Sequence, residues 1–186
     1  MIGFAMCGSF CTHSNAIAQL KGLSDKGFDI LPIMSDAVYT TDTRFGKACD
    51  LIDTCENVCQ RRVVHTVKDA EPLGPKTPLD CLIICPCTGN TLSKLANGIT
   101  DTPVCMAAKA HLRSDRPLLI ALASNDAMSA NLKNISTLLM RKNVYFVPMI
   151  QDDPVSKPHS LVADFSLLQK AFDMAMEGKQ MRKLFL

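Results

Sequence analysis

Short apolar runs and amphipathic stretches take turns along the 186 residues of this chain. Ile2 to Met6 is apolar without alternation, the pattern of a strand buried on both faces. From His13 the spacing becomes helical, with Ala16, Ile17, Leu20 and Leu23 on one face and Gly27 as the stop. A second strand is predicted over Phe28 to Met34, breaking at Ser35-Asp36. Pro32 lacks an N–H and so suggests an edge position or a strand irregularity. Residues 43–53 can form a helix, and Thr66 to Pro78, rich in Pro, Gly and Lys, reads as a loop. Asp80 to Cys85 is the next buried strand, ended by Pro86. A helix from Asn90 to Ile99 turns Leu92, Leu95, Ala96 and Ile99 inward. Residues 104–112 fit a short helix, with a strand at Val104 to Met106 as the alternative. Leu118 to Ala123 is a strand, and a helix runs from about Ala130 to Arg141. Val144 to Val147 is the last predicted strand, and a loop from Pro148 to Pro158 leads into a closing helix from Leu161 to Glu177.

Strands that alternate with helices and lack an exposed polar face belong to a parallel sheet covered on both sides. The expected fold is therefore a three-layer, Rossmann-like α/β domain spanning residues 1–186. In such a sheet ligands bind at the carboxyl ends of the strands, near the point where strand order reverses. Four small polar sets stand at those ends: Gly8-Ser9, Ser35-Asp36, Pro86 to Thr91, and Ser124-Asn125-Asp126. In the first, Gly8 permits close backbone approach, and Ser9 offers a hydroxyl and an amide just before a helix, as a phosphate requires. The same pair would also make a plain tight turn. It is neither the G-x-G-x-x-G dinucleotide fingerprint nor a P-loop. In the third set Gly89 allows a turn and Asn90 or Thr91 can cap the next helix. Thr88 and Asn90 present donors and acceptors to a ring or carboxylate edge; a helix cap with nothing bound reads equally well.

Composition narrows the classes further. A formal charge of +2 and scattered basic residues give no nucleic-acid surface. The basic stretch Lys179 to Lys183 reads as a frayed, solvated tail. Lys109, His111 and Arg113 could pair with an acidic substrate or lie on a solvated helix face. Nine cysteines, odd in number and without Cys-x-x-Cys spacing, read as reduced core thiols in a cytoplasmic protein, with no metal site. The apolar start is too short for a secretory signal, and no apolar run approaches a membrane span.

Pro86-Cys87-Thr88-Gly89-Asn90-Thr91, continuing through Lys94, Ala96, Gly98 and Asp101, resembles the Pro-Ala-Ser-Ala-Asn-Thr signature of the flavin-dependent cysteine decarboxylase family. Gly8-Ser9 resembles that family's phosphate turn and Ser35 its second-strand hydroxyl. Leu122-Ala123-Ser124-Asn125, with Met128 in step, resembles its Pro-Ala-Met-Asn motif. The resemblance covers nearly the whole chain. It implies FMN as a possible cofactor, held by Gly8, Ser9, Ser35, Thr88, Asn90, Ser124 and Asn125, and flavin sites at subunit interfaces of a homo-oligomer. His65 is the nearest match to the family's catalytic His, and packing is the alternative reading. No Cys lies beyond Cys105, where the decarboxylases carry one, which argues against thiol decarboxylation by this chain.

The segment Met106 to Arg113, Gln151-Asp152-Asp153-Pro154, Lys157-Pro158 and Ser160 to Ala163 resemble one branch of the family. That branch works beside a larger partner similar to a nicotinamide-dependent dehydrogenase. The resemblance implies an oxidoreductase subunit, with NAD(P) bound through the partner. The alternatives are an independent FMN-dependent reductase or decarboxylase, and a non-catalytic stabilising subunit.

Overall fold

The computed structural model describes residues 1–186. Four strands form the parallel centre: β1 (Ile2–Met6), β2 (Ile30–Met34), β3 (Leu82–Cys87) and β4 (Leu118–Ser124). Their order is β2-β1-β3-β4, so the chain reverses direction across the sheet between β1 and β3. β5 (Val144–Phe146) extends the sheet in parallel beside the first half of β4. Every residue of β1, β3 and β4 is buried. Successive residues serve opposite faces: Leu82 and Ile84 join one core layer, Ile83 and Cys85 the other.

Helices cover both faces. α1 (His13–Asp25), α3 (Ala48–Cys59) and α8 (Leu168–Met176) contribute to one layer through Leu20, Cys55 and Phe172. α4 (Val67–Ala70), α5 (Gly89–Ala96), α6 (Pro103–Leu112) and α7 (Leu132–Leu139) contribute to the other through Ala70, Leu92, Val104 and Ile135. The short α2 (Asp36–Thr40) follows β2. Pro32 does lie on an edge strand, and its carbonyl accepts the Val64 amide (2.9 Å).

Several boundaries differ from expectation, each for a local reason. A Thr43–Gly46 turn and the Asp42 carboxylate, which accepts the Ala48 amide, delay α3 until Ala48. The loop after Thr66 contains α4, capped by the Thr66 hydroxyl on the Asp69 amide. Strand β3 continues past the cis Cys85–Pro86 bond to Cys87. Ile99 is 45% exposed rather than inward. Thr102 caps the 104–112 stretch and Pro103 takes its first turn, so it is helical throughout.

The largest difference lies near the end of the chain. Val144 to Phe146 is not the last strand. β6 (Met149–Ile150) and β7 (Leu161–Ala163) form an antiparallel pair, and β7 runs antiparallel to the second half of β4. The sheet is therefore mixed, and the closing helix begins only at Leu168. The last residues are not frayed: the Met149 amide donates to the Leu184 carbonyl and the Leu186 amide to the Met149 carbonyl. Gln180 meanwhile bonds both backbone groups of Phe146. No helix is long and apolar enough to cross a membrane.

Candidate functional site

The connections after β1, β3 and β4 converge at the carboxyl end of the sheet. Gly8, Ser9, Thr88, Gly89, Asn90, Ser124, Asn125 and Asp126 line one lobe of a cleft there, about 420 Å³ in volume. A second lobe of about 610 Å³ shares Ser9, Ser124 and Asn125 and adds Cys11, Asp152, Lys157 and Ser160. Both volumes lie in the range of small-molecule sites. The cleft opens where strand order reverses, as expected for an open parallel sheet.

In the first loop the Ser9 amide turns back onto the Cys7 carbonyl (2.9 Å). Its carbonyl accepts the Thr12 amide (3.0 Å) and the Thr12 hydroxyl (2.8 Å). Ser9 therefore offers its hydroxyl to the cleft; its amide, expected to face a phosphate, is already engaged. A Cβ on Gly8 would meet Phe10 at 3.4 Å and Ala37 at 3.7 Å, which is ordinary contact. Behind this turn His13 is buried, with Nε2 bonded to the Cys7 carbonyl (2.9 Å). Burial pushes its pKa below the usual imidazole range.

Space is tight at Gly89 instead. A Cβ there would run into Asn131 Nδ2 at 2.6 Å, Asp126 Oδ1 at 2.8 Å and the Ser124 hydroxyl. Those three form a network: the Ser124 hydroxyl donates to Asp126 Oδ1, and Asn131 Nδ2 reaches both Asp126 oxygens (3.0 and 2.9 Å). Asn134 in turn donates to Asn131 Oδ1 (2.8 Å). The bond from Ser124, then that from Asn131, holds the Asp126 carboxyl below the ordinary Asp range. Asp126 is visible in the sequence as part of a polar set. Asn131, five residues on, carries no sign there of its role.

Thr88, rather than Asn90 or Thr91, caps α5: its hydroxyl accepts the Thr91 amide (3.2 Å). Thr91 continues inward to the Cys7 thiol (3.3 Å), which burial pushes up to about 12. Asn90 is left exposed on the cleft wall, with its side chain outside this capping network. Ser35, at the end of β2, is 9% exposed and its hydroxyl has no hydrogen-bond partner. It lies behind the Gly8 turn, in the segment that brings Ala37 against Gly8.

Two expectations point elsewhere. His65 is half-buried beyond the β2 edge, stacked on Tyr39 with ring centroids 3.7 Å apart, and does not line the cleft. Lys109, His111 and Arg113 stand at the end of α6, beside the start of β4 and so at the amino end of the sheet. His111 is fully buried, with Nε2 on the Pro117 carbonyl (2.8 Å). They cannot form one cationic patch on this cleft. No three His, Cys, Asp or Glu side chains converge in a way that could hold a metal ion.

The cleft fits a flavin phosphate and ring. The free hydroxyl of Ser9 suits a phosphate oxygen, and Asn90 and Asn125 offer amide edges to a planar heterocycle. Ser35, expected among the phosphate contacts, is buried behind the Gly8 turn and lines neither lobe. Comparison with known proteins agrees with this chemistry. Residues 1–166 match the Flavoprotein family. The B component of dipicolinate synthase from Bacillus subtilis is 40% identical over 183 residues, covering 98% of this chain and 92% of that one. The crystal structure of the same component from Bacillus halodurans superposes with a TM-score of 0.91 at 40% identity, covering 100% of this chain and 95% of that one. The FMN-dependent cysteine decarboxylase SpaF shares the fold, with a TM-score of 0.70 at 22% identity over 94% of this chain and 95% of its own.

Proposed function

The chain belongs to the Flavoprotein family, and from that premise we propose that it binds FMN in the cleft and serves as the smaller, B component of a dipicolinate synthase. Its partner would be that enzyme's dehydrogenase-like A component, which brings NAD(P). The reaction in a sporulating cell would oxidise a dihydrodipicolinate-type precursor to pyridine-2,6-dicarboxylate. In the net reaction one hydride and one proton leave the precursor, the hydride ending on the partner's nicotinamide and the proton in water.

The observation that carries this reading is the convergence of Ser9, Thr88, Asn90, Ser124 and Asn125, from three strand ends, on one cleft. Gly8 and Ser9 would hold the FMN phosphate, with the Gly8 turn admitting it and the Ser9 hydroxyl donating to its oxygens, while Ser35 backs the turn from behind. Asn90 and Asn125 would orient the ring edge, while Thr88 and the Asp126–Asn131 network fix the walls. Bound FMN would supply a two-electron redox centre. The hydrogen-bonded walls keep that centre in a fixed orientation at no reorganisation cost. The free thiols, two of them exposed at Cys11 and Cys49, suit a reducing cytoplasm. Self-association into a homo-oligomer completes the reading.

Reconstitution tests it. This chain, its partner, and the two together are each supplied with precursor, FMN and NAD(P)+, and pyridine-2,6-dicarboxylate is followed by its ultraviolet absorbance. Product that requires both chains is the expected result. Product from this chain and FMN alone would identify an independent flavoenzyme. Full activity of the partner alone would reduce this chain to a stabilising role.

A further inference from the structure

Only one cation lines the cleft. Of the residues around its two lobes, Lys157 alone carries positive charge, and the proposed flavin contacts do not use it. Its backbone is well fixed. Residues 151–160, between β6 and β7, bond to one another: Gln151 Nε2 donates to the Pro158 carbonyl (2.9 Å) and the Ser156 amide to Asp153 Oδ1 (2.9 Å). The Lys157 amide donates to the Asp153 carbonyl (2.8 Å) and the Ser160 amide to the Lys157 carbonyl (3.0 Å). The loop is also tied to the connection after β4, where the Met128 amide donates to the His159 carbonyl (2.9 Å). The unexpected pairing of β7 with the second half of β4 is what brings this loop to the carboxyl end of the sheet.

The Lys157 ammonium rests 2.9 Å from Asp152, and its side chain is 53% exposed. An ammonium has three donors, and Asp152 takes one. An ion pair this exposed is weak enough to share its cation with a ligand. Asp126 accepts only from the neutral groups of Ser124 and Asn131 and keeps its charge, but it lines only the first lobe; in the second lobe Asp152 is offset by Lys157. An anion entering the second lobe therefore finds its only cationic donor at Lys157, with the Ser9 and Ser160 hydroxyls on the same wall.

We infer that Lys157 is the specificity-determining residue that recognises a carboxylate of an aromatic dicarboxylate in the second lobe of the cleft. The inference rests on the reading that the cleft takes substrate beside the flavin. With one cation available, this chain reads one carboxylate by charge and leaves the second to neutral donors.

Titration of the full chain with pyridine-2,6-dicarboxylate, with and without FMN, tests the inference by heat of binding; FMN affinity is measured separately by fluorescence quenching. Lys157→Ala is expected to weaken dicarboxylate binding roughly 10- to 100-fold, as for loss of a charge-assisted bond, and to leave FMN affinity within about two-fold. Lys157→Arg should recover most of the loss. Unchanged melting temperatures confirm that both variants fold. Equal dicarboxylate affinity in wild type and Lys157→Ala overturns the inference. So does a parallel fall in FMN affinity, which would make Lys157 a cofactor group. A wild-type chain that binds FMN and no dicarboxylate overturns it while leaving the flavin reading intact. Lys157-dependent dicarboxylate binding by a chain that takes up no FMN supports it and removes the flavin reading.

Discussion

Two buried histidines mark the two ends of the sheet, and their surroundings differ in an instructive way. Each places Nε2 against a backbone carbonyl: His13 against Cys7 at the carboxyl end (2.9 Å), His111 against Pro117 at the amino end (2.8 Å). Around His13 the loops turn their hydroxyls and amides toward an open volume. Near His111 the chain closes on itself. The Met1 ammonium pairs with Asp80 (2.8 Å), Asp80 with Arg116 (3.0 Å), and Arg116 also reaches the Leu79 carbonyl (2.9 Å). The same strands thus end in a ligand-sized cleft on one side and a self-paired, solvent-exposed polar cluster on the other. Polarity of sequence is similar at both ends; strand direction decides which can bind.

That contrast can be broken most forcefully at Ser9. Ser9→Asp would set a negative charge against the proposed phosphate and should lower FMN affinity roughly 100-fold or more, with the melting temperature little changed. Unaltered affinity would remove the Gly8-Ser9 turn from the site. Next in size is Gly89→Ala, whose Cβ must displace the Asp126–Asn131 network. Overpacking there should cost about 1–3 kcal/mol, read as a fall of several degrees in thermal unfolding. A variant as stable as wild type would show that the network yields freely.

The histidines give the third test. Burial lowers both pKa values, so the folded chain keeps neutral rings that the unfolded chain protonates as pH falls through about 6.5. Stability contributed by the neutral rings is full above that value and declines below it. His111→Gln should make the decline in denaturant-unfolding stability shallower, and an unchanged slope would place the proton uptake elsewhere. The smallest effects sharpen the comparison: Asn90→Ala and Arg113→Ala are both at exposed positions and should each leave stability within about 0.5 kcal/mol. Only Asn90→Ala should weaken FMN, roughly five-fold for one lost hydrogen bond. Equal effects of the two would erase the distinction between the ends.

Most of the architecture is legible in the sequence because β1, β3 and β4 are unbroken apolar runs and α1, α5 and α7 carry helical spacing. Residues Gly8, Ser9, Thr88, Asn90, Ser124 and Asn125 are legible as cleft residues for the same reason: each follows a strand whose carboxyl end is thereby known. Leu161-Val162-Ala163 misleads because three apolar residues before an amphipathic stretch fit a helix start as well as a strand. What decides is the unpaired upper half of β4, which no local pattern reveals. Asp164, capping the next turn through the Ser166 amide, is the available hint. The basic cluster of α6 misses the cleft for a topological reason. A helix between parallel strands runs back across the sheet, so its last turn lies beside the start of the next strand. Gly89 stands out in the sequence for its turn, but its real constraint comes from Asn131, well over thirty residues further along the chain.

The most direct test is an FMN titration of the purified full chain, followed by flavin fluorescence and by mass analysis of the denatured extract. Saturable binding of one FMN per chain, lost in Ser9→Asp and retained in Arg113→Ala, is the predicted result. A wild-type chain that neither carries FMN nor quenches it at saturating flavin would contradict the assignment of the cleft.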